Sequence, residues 1–264
     1  MHKTFSFIVI TIILMSIFVG CDDEKINSIW RDPKVVSDRI DDDHGWENAL
    51  HFVAKGDVTI GILNDADALY VRLSTRNHAI QQHLLMAGFT VWFDERGGDN
   101  KMYGIQFPLP TEMEEKSNSP DILSKLSQAS QGDIEIMQPG KKEFNRIAAA
   151  YSAPYGIQCR LGNMADNFIY ELQIPLVRNS LRPYGIAMSQ TRTIGIGFET
   201  GKLEQEKQQV TPGGGGGRRG SGGRKGSGSG ASGGQAADPR NMGDSREKMK
   251  PINLWLQVNL AAKP

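Results

Sequence analysis

The side chains best suited to holding a ligand are aromatics and amides on segments that alternate in polarity. In FTVWFD, Phe89, Val91 and Phe93 take one side and leave Thr90, Trp92 and Asp94 on the other. In PINLWLQVNL the apolar set Ile252, Leu254, Leu256, Val258 and Leu260 leaves Asn253, Trp255, Gln257 and Asn259 opposite. ALYVRLST turns Tyr70 and Arg72 outward by the same parity. Flat π faces flanked by amides and carboxylates suit a sugar ring, whose C–H groups stack on the ring while its hydroxyls pair with the polar groups. Trp92, Trp255, Tyr70 and Gln257 are therefore the candidate ligand-binding residues, with Gln106, Glu171, Gln173 and Glu199 in the neighbouring outward sets. Two other readings stay open for the indoles. Either the apolar stripes of two helices cover them (Ile80 and Leu84; Ile122, Leu123 and Leu126), or they meet a protein partner.

Signals for catalysis are missing by comparison. The chain holds no P-loop and no Cys/His pairing, so no enzyme is expected. Its five histidines, at 2, 44, 51, 78 and 83, make no HExxH or other paired ligand spacing. Asp41, Asp42 and Asp43, or Asp94 and Asp99, carry oxygens suited to calcium, but acidic residues in turns usually form the turn. No spacing among the ten methionines selects an axial pair for haem. The expectation is no metal and no cofactor. Cys159, in the strand-like GIQCRLG, reads as a small buried hydrophobe.

The start of the chain carries an address. MHKTFSFIVITIILMSIFVGC has one firm positive charge, Lys3, and an apolar stretch shorter than the roughly 20 residues that span a bilayer. Residues 1–20 thus read as an export signal. Phe-Val-Gly-Cys resembles the lipobox of bacterial lipoproteins, with Phe18 where Leu is usual, which makes Cys21 the expected lipidation site and an uncleaved signal anchor the alternative. Residues 21–35 are expected to form a polar tether to a domain spanning 36–261, on a lipoprotein anchored in the bacterial cell envelope. The 30 basic and 30 acidic side chains cancel, which argues against general attraction to nucleic acid or anionic lipid.

From Val58 onward the period is two, and roughly nine strands follow: VTIGILND, ALYVRLST, FTVWFD, KMYGIQFPL, DIEIMQPG, GIQCRLGN, NFIYELQIPL, TIGIGFET and PINLWLQVNL. Short turns join several of them, Arg96-Gly97-Gly98-Asp99 among these. The pattern predicts a mainly β fold, an antiparallel, jelly-roll-like sandwich of two sheets. Two short helices are expected as excursions across it. One covers residues 77–87, capped by Asn77 and stopped by Gly88, and the other starts at Ser119-Pro120-Asp121. Residues 204–250 read as a disordered Gly/Arg-rich loop, because 13 of the 22 residues from Gly213 to Gly234 are glycine. Arg218, Arg219, Arg224 and Lys225 suggest RNA, yet no aromatic is interleaved for stacking and the chain is exported, so a solvated loop is expected instead.

Read together, SDRIDDDHGWENA, VTIGILNDADALYVRLST, TVWFDERGGDNKMYGIQFPL, YELQIPL and INLWLQVNLA resemble the family 9 carbohydrate-binding modules and their DOMON-like relatives. The resemblance implies a non-catalytic β-sandwich that commonly binds sugars, with haem in some relatives. Trp46, beside the aspartate-rich turn, is expected in the core. The function expected is a lipid-anchored binding module with a polysaccharide partner. The alternative is a structural or interaction lipoprotein that docks an envelope protein.

Overall fold

The computed structural model describes residues 24–32, 40, 45–111, 122–138, 145–188, 192–202 and 251–264. The signal segment with Cys21, Asp41 to His44, the Ser119-Pro120-Asp121 helix start and the glycine-rich loop lie outside these residues.

Two sheets stack face to face. The first orders β1 (Glu24–Asn27), β13 (Asn253–Asn259), β12 (Thr193–Thr200), β6 (Phe89–Asp94), β7 (Tyr103–Gln106), β8 (Asp133–Met137) and β9 (Asn145–Ala148). The second orders β10 (Gln158–Met164), β11 (Asn167–Pro175), β5 (Ala68–Thr75), β4 (Val58–Asn64) and β2 (Ile29–Trp30), and β3 (Leu50–Val53) shares the outer edge of β4 with β2. This is the expected mainly β sandwich. The nine strands read from the period are all present, and their apolar sets face one another: Phe89, Val91, Phe93, Ile196, Phe198 and Leu256 from one sheet meet Ile60, Ile62, Val71, Leu73, Tyr170 and Leu172 from the other. Phe89 binds the layers together, with Tyr170 edge-on at 5.0 Å and Phe198 stacked at 6.3 Å.

The N-terminal segment corrects the expected tether. Glu24–Asn27 and Ile29–Trp30 are strands of the two sheets, so the sandwich already includes residues placed in the spacer. β1 adds in parallel to β13 and β2 in parallel to β4, which makes both sheets mixed at these edges. The physical reason is a buried polar knot where the chain crosses between layers. Ser28 donates its hydroxyl to Asn64 Oδ1, and its backbone N–H donates to the Asn259 carbonyl at 3.0 Å. The Ala261 N–H donates to both Ser28 Oγ (2.8 Å) and Asn64 Oδ1 (2.9 Å), and Asn64 Nδ2 returns a bond to the Ala261 carbonyl at 3.1 Å. Both Ser28 and Asn64 are buried, so each polar atom needs its partner.

Helix α1 (His78–Ala87) starts and stops as expected: Asn77 Oδ1 accepts from the Ala79 and Ile80 N–H groups, and Gly88 ends it at φ +77°. It does not lie across an outer face. Ile80 and Leu84 join the inter-sheet core, Gln81 Nε2 donates to the Thr75 and Asp166 carbonyls, and buried His83 Nε2 donates to Gly201 O at 2.9 Å. The helix thus closes the lower rim of the sandwich, formed by the turn at 54–57, Arg76, the turn at 165–166 and Gly201-Lys202. The upper rim carries the 65–67 turn, the 95–102 loop and the 176–188 loop. Helix α2 (Ile122–Ser130) covers the expected ILSKLSQAS segment, and its Leu126 and Ala129 pack against the core.

Asn64→Ala strips partners at once from the buried Ser28 hydroxyl and the half-buried Ala261 carbonyl, and leaves the Ala261 N–H with Ser28 alone. At about 1–3 kcal/mol per unsatisfied buried group, it is expected to destabilise the fold by roughly 2–4 kcal/mol, read as a lowered denaturation midpoint at unchanged m-value. A change within about 0.5 kcal/mol rules out the knot as a major tie between the layers.

Candidate functional site

The structure separates the four candidate residues. Trp92, Trp255 and Gln257 stand on the outside of the first sheet, and Tyr70 stands on the outside of the second.

On the first sheet, Trp255, Gly197, Trp92 and Gly104 form one row across β13, β12, β6 and β7. Two strand spacings put the two tryptophan Cα atoms roughly 10 Å apart. Each indole leans onto the glycine of the next strand. A Cβ on Gly104 would lie 2.6 Å from Trp92 Cε3, and one on Gly197 would lie 2.6 Å from Trp255 Cζ2. Trp92 Nε1 donates to Glu199 Oε2 at 2.8 Å, and the Lys101 ammonium sits 5.4 Å from its ring while pairing with the same carboxylate. Only 7% of Trp92 remains exposed, so it offers no open face for stacking. That differs from the expected pair of open platforms, and α1, expected as one possible cover, lies elsewhere. Trp255 is half-buried, and Gln257 spends its amide N–H on the Gly97 carbonyl at 2.8 Å. The same loop is organised by Asp94, whose carboxylate accepts from Arg96 N (2.9 Å), Asn100 N (3.1 Å) and Asn100 Nδ2 (3.0 Å). Burial raises the Asp94 pKa, but these donors outweigh it and hold the carboxyl below its ordinary value.

The second sheet carries a cleft instead. Outward parity lines up Gln158, Gln173, Tyr70 and Leu63 in one row and Arg160, Glu171 and Arg72 in the next. Trp46 folds over them from the 45–49 turn, resting on Gly61, where a Cβ would lie 2.7 Å from its ring. Buried Trp46 belongs to a small satellite cluster with Ala49 and Leu63, outside the inter-sheet core. Arg31 closes the opposite wall. The knot delivers it directly: β2 ends at Trp30, the Arg31 N–H donates to Asn64 O at 2.8 Å, and its guanidinium stacks 4.2 Å from the Tyr70 centroid. Tyr70 Oη donates to Asp65 Oδ2 at 2.8 Å, while Asp65 Oδ1 is held by the Asp67 and Ala68 N–H groups. Arg72 lies 5.6 Å from the Trp46 ring and 3.7 Å from Glu171, and Arg160 donates to Gln158 at 3.1 Å. These walls enclose about 60 Å³.

Sequence parity marks Tyr70, Arg72, Glu171 and Gln173 as outward, but not Trp46, Arg31, Gln158 or Arg160 as their neighbours. Among the described residues, no three His, Cys, Asp or Glu side chains converge to hold a metal ion. Cys159 packs against the core, where burial pushes its thiol pKa well up.

No protein-family model matches the chain, and no curated protein does. Two solved structures of a family 9 carbohydrate-binding module from Caldicellulosiruptor kristjanssonii resemble it at 13% identity. The glucose complex aligns over 71% of this chain and 83% of that one with a TM-score of 0.31. The cellotriose complex aligns over 67% and 76% with a TM-score of 0.30.

Burial, then the bond to Asp65, raises the Tyr70 pKa to about 12. A raised folded-state value means the neutral phenol stabilises the fold below the unfolded value of 10.0 and that contribution fades as pH climbs toward 12. Subtracting the 295 nm absorbance titration of Tyr70→Phe from that of the wild type should leave a transition centred near 12; one centred near 10 contradicts the Asp65 bond. On the other sheet, Gly197→Ala must displace the Trp255 indole. A red-shifted tryptophan emission and a loss of roughly 1–3 kcal/mol are expected, and an unchanged spectrum contradicts the row packing.

Proposed function

We propose that the chain is a non-catalytic, lipid-anchored envelope module that holds a glycan in the cleft of the second sheet. The cleft itself carries the reading. Tyr70 and Trp46 supply aromatic surface, and Gln158, Gln173, Arg160, Glu171 and Arg31 converge on the same small space. Amides, guanidinium groups and a carboxylate together match the mixed donors and acceptors of vicinal hydroxyls. About 60 Å³ is far below the several hundred that enclose a drug-sized ligand, so the cleft grips the edge of one sugar ring while the rest stays in solvent. The row of Trp92 and Trp255 serves the sheet's own packing, since the glycines beneath it take the ring faces.

Calorimetry of the folded module against a panel of soluble oligosaccharides tests this reading. Gln173→Ala and Arg160→Ala should each weaken the best glycan at least about tenfold, or roughly 1.4 kcal/mol, and Gln257→Ala should leave it unchanged. The proposal fails if no glycan binds the wild type. It fails equally if Gln257→Ala weakens binding while the cleft variants do not, because the site then lies on the first sheet.

A further inference from the structure

Parity turns Arg72 to the outer face of the second sheet, where an arginine is usually solvated, yet only 3% of its side chain is exposed. It is not one of the residues that line the open space of the cleft. Three other groups take up its guanidinium. Nη2 donates to the Ile40 carbonyl at 3.3 Å, Nε lies 3.7 Å from Glu171 Oε1, and the central carbon stands 5.6 Å from the Trp46 ring centroid.

Strand register produces this meeting. Gly61, Arg72, Glu171 and Arg160 stand opposite one another across β4, β5, β11 and β10. Trp46 rests on Gly61, which has no side chain to separate the indole from Arg72. Glu171, 15% exposed, lies between the two arginines and lines the cleft. Ile40 is seated on the same face, with its Cγ2 2.6 Å from where a Cβ on Gly162 would stand. None of these partners belongs to the inter-sheet core.

Stability alone gives little reason for a charge here. Desolvating a guanidinium is costly, and a buried ion pair is often no more stabilising than apolar side chains of similar volume. What arginine adds is direction. Its planar fork holds a carbonyl and a carboxylate at fixed angles while its charge attracts a π face. We propose that Arg72 is the positioning residue of the cleft: it touches no ligand itself, and holds the Trp46 ring and the Glu171 carboxylate in the arrangement a glycan meets. The functional half of this rests on the cleft being the glycan site; the placement of Trp46 does not.

The test labels the full chain with 5-fluorotryptophan, which gives one resonance for each of the four tryptophans, assigned by Trp→Phe substitution. Arg72→Met removes the charge beside Glu171 and should lower the denaturation midpoint. Adding Glu171→Leu should bring the midpoint back to the wild-type value or above it. In both variants the Trp46 resonance should shift or broaden while those of Trp92 and Trp255 stay in place. The best sugar of the oligosaccharide panel should bind both at least about tenfold more weakly, because the cleft is no longer preorganised. In the double variant a loosened fold cannot be the cause, since its stability is restored. Wild-type affinity there, or an unmoved Trp46 resonance, overturns the proposal. Should the double variant stay destabilised, Arg72→Lys decides: it keeps the charge but loses the fork, so it should move Trp46 and weaken binding about threefold, and a wild-type value for either overturns the proposal. A wild-type chain that binds no sugar of the panel fails as a glycan module, while the Trp46 resonances still decide the positioning role.

Discussion

Ser28 carries the chain from one sheet to the other in a single residue, and the bonds it shares with Asn64 and Ala261 determine where almost every other functional feature sits. The knot must form as a unit. Ser28 and Asn64 are buried, and leaving one of their polar atoms unmatched costs about 1–3 kcal/mol. Once formed, it seats β1 against β13 and β2 against β4, and it places the C-terminal residues beside the first ones. Arg31 then has one position available, over Tyr70. A wall of the cleft is thus set by one polar cluster.

The inter-sheet interior was legible because period two is a strong signal in strands of four to nine residues, and nine such segments suffice to define two apolar faces. The short edges were not. β1, β2, β3 and β9 have two to four residues each, too few for an alternation to stand out, and Glu24, Lys25 and Asn27 look like linker. What makes β1 a strand is its partner β13, more than 220 residues away in sequence, together with the burial of Ile26. No local propensity encodes that pairing.

The candidate site shows a different gap. Parity turns Trp92, Trp255 and Tyr70 outward, but a sandwich has two outsides, and only topology separates Tyr70 from the tryptophans. Parity is equally silent about the neighbouring strand. A signal was nonetheless present: TIGIGFET alternates glycine with large apolar residues, and Gly104 interrupts MYGIQF in the same way. Outward glycine in a strand weakens it unless something fills the space. Here indoles fill it, each lying where a Cβ would stand on the next strand. An exposed-looking tryptophan flanked across the sheet by glycine is therefore better read as a lid over backbone than as a platform for ligand.

The two outer faces also differ in whether their polar groups surround an open space. On the first sheet Glu199 is used by Trp92 and Lys101, Asp94 by its own loop, and Gln257 by Gly97, so the face is closed by internal bonds. On the second sheet, guanidinium groups, amides and a carboxylate meet around an open space, and their fixed positions reduce the ordering a ligand must impose.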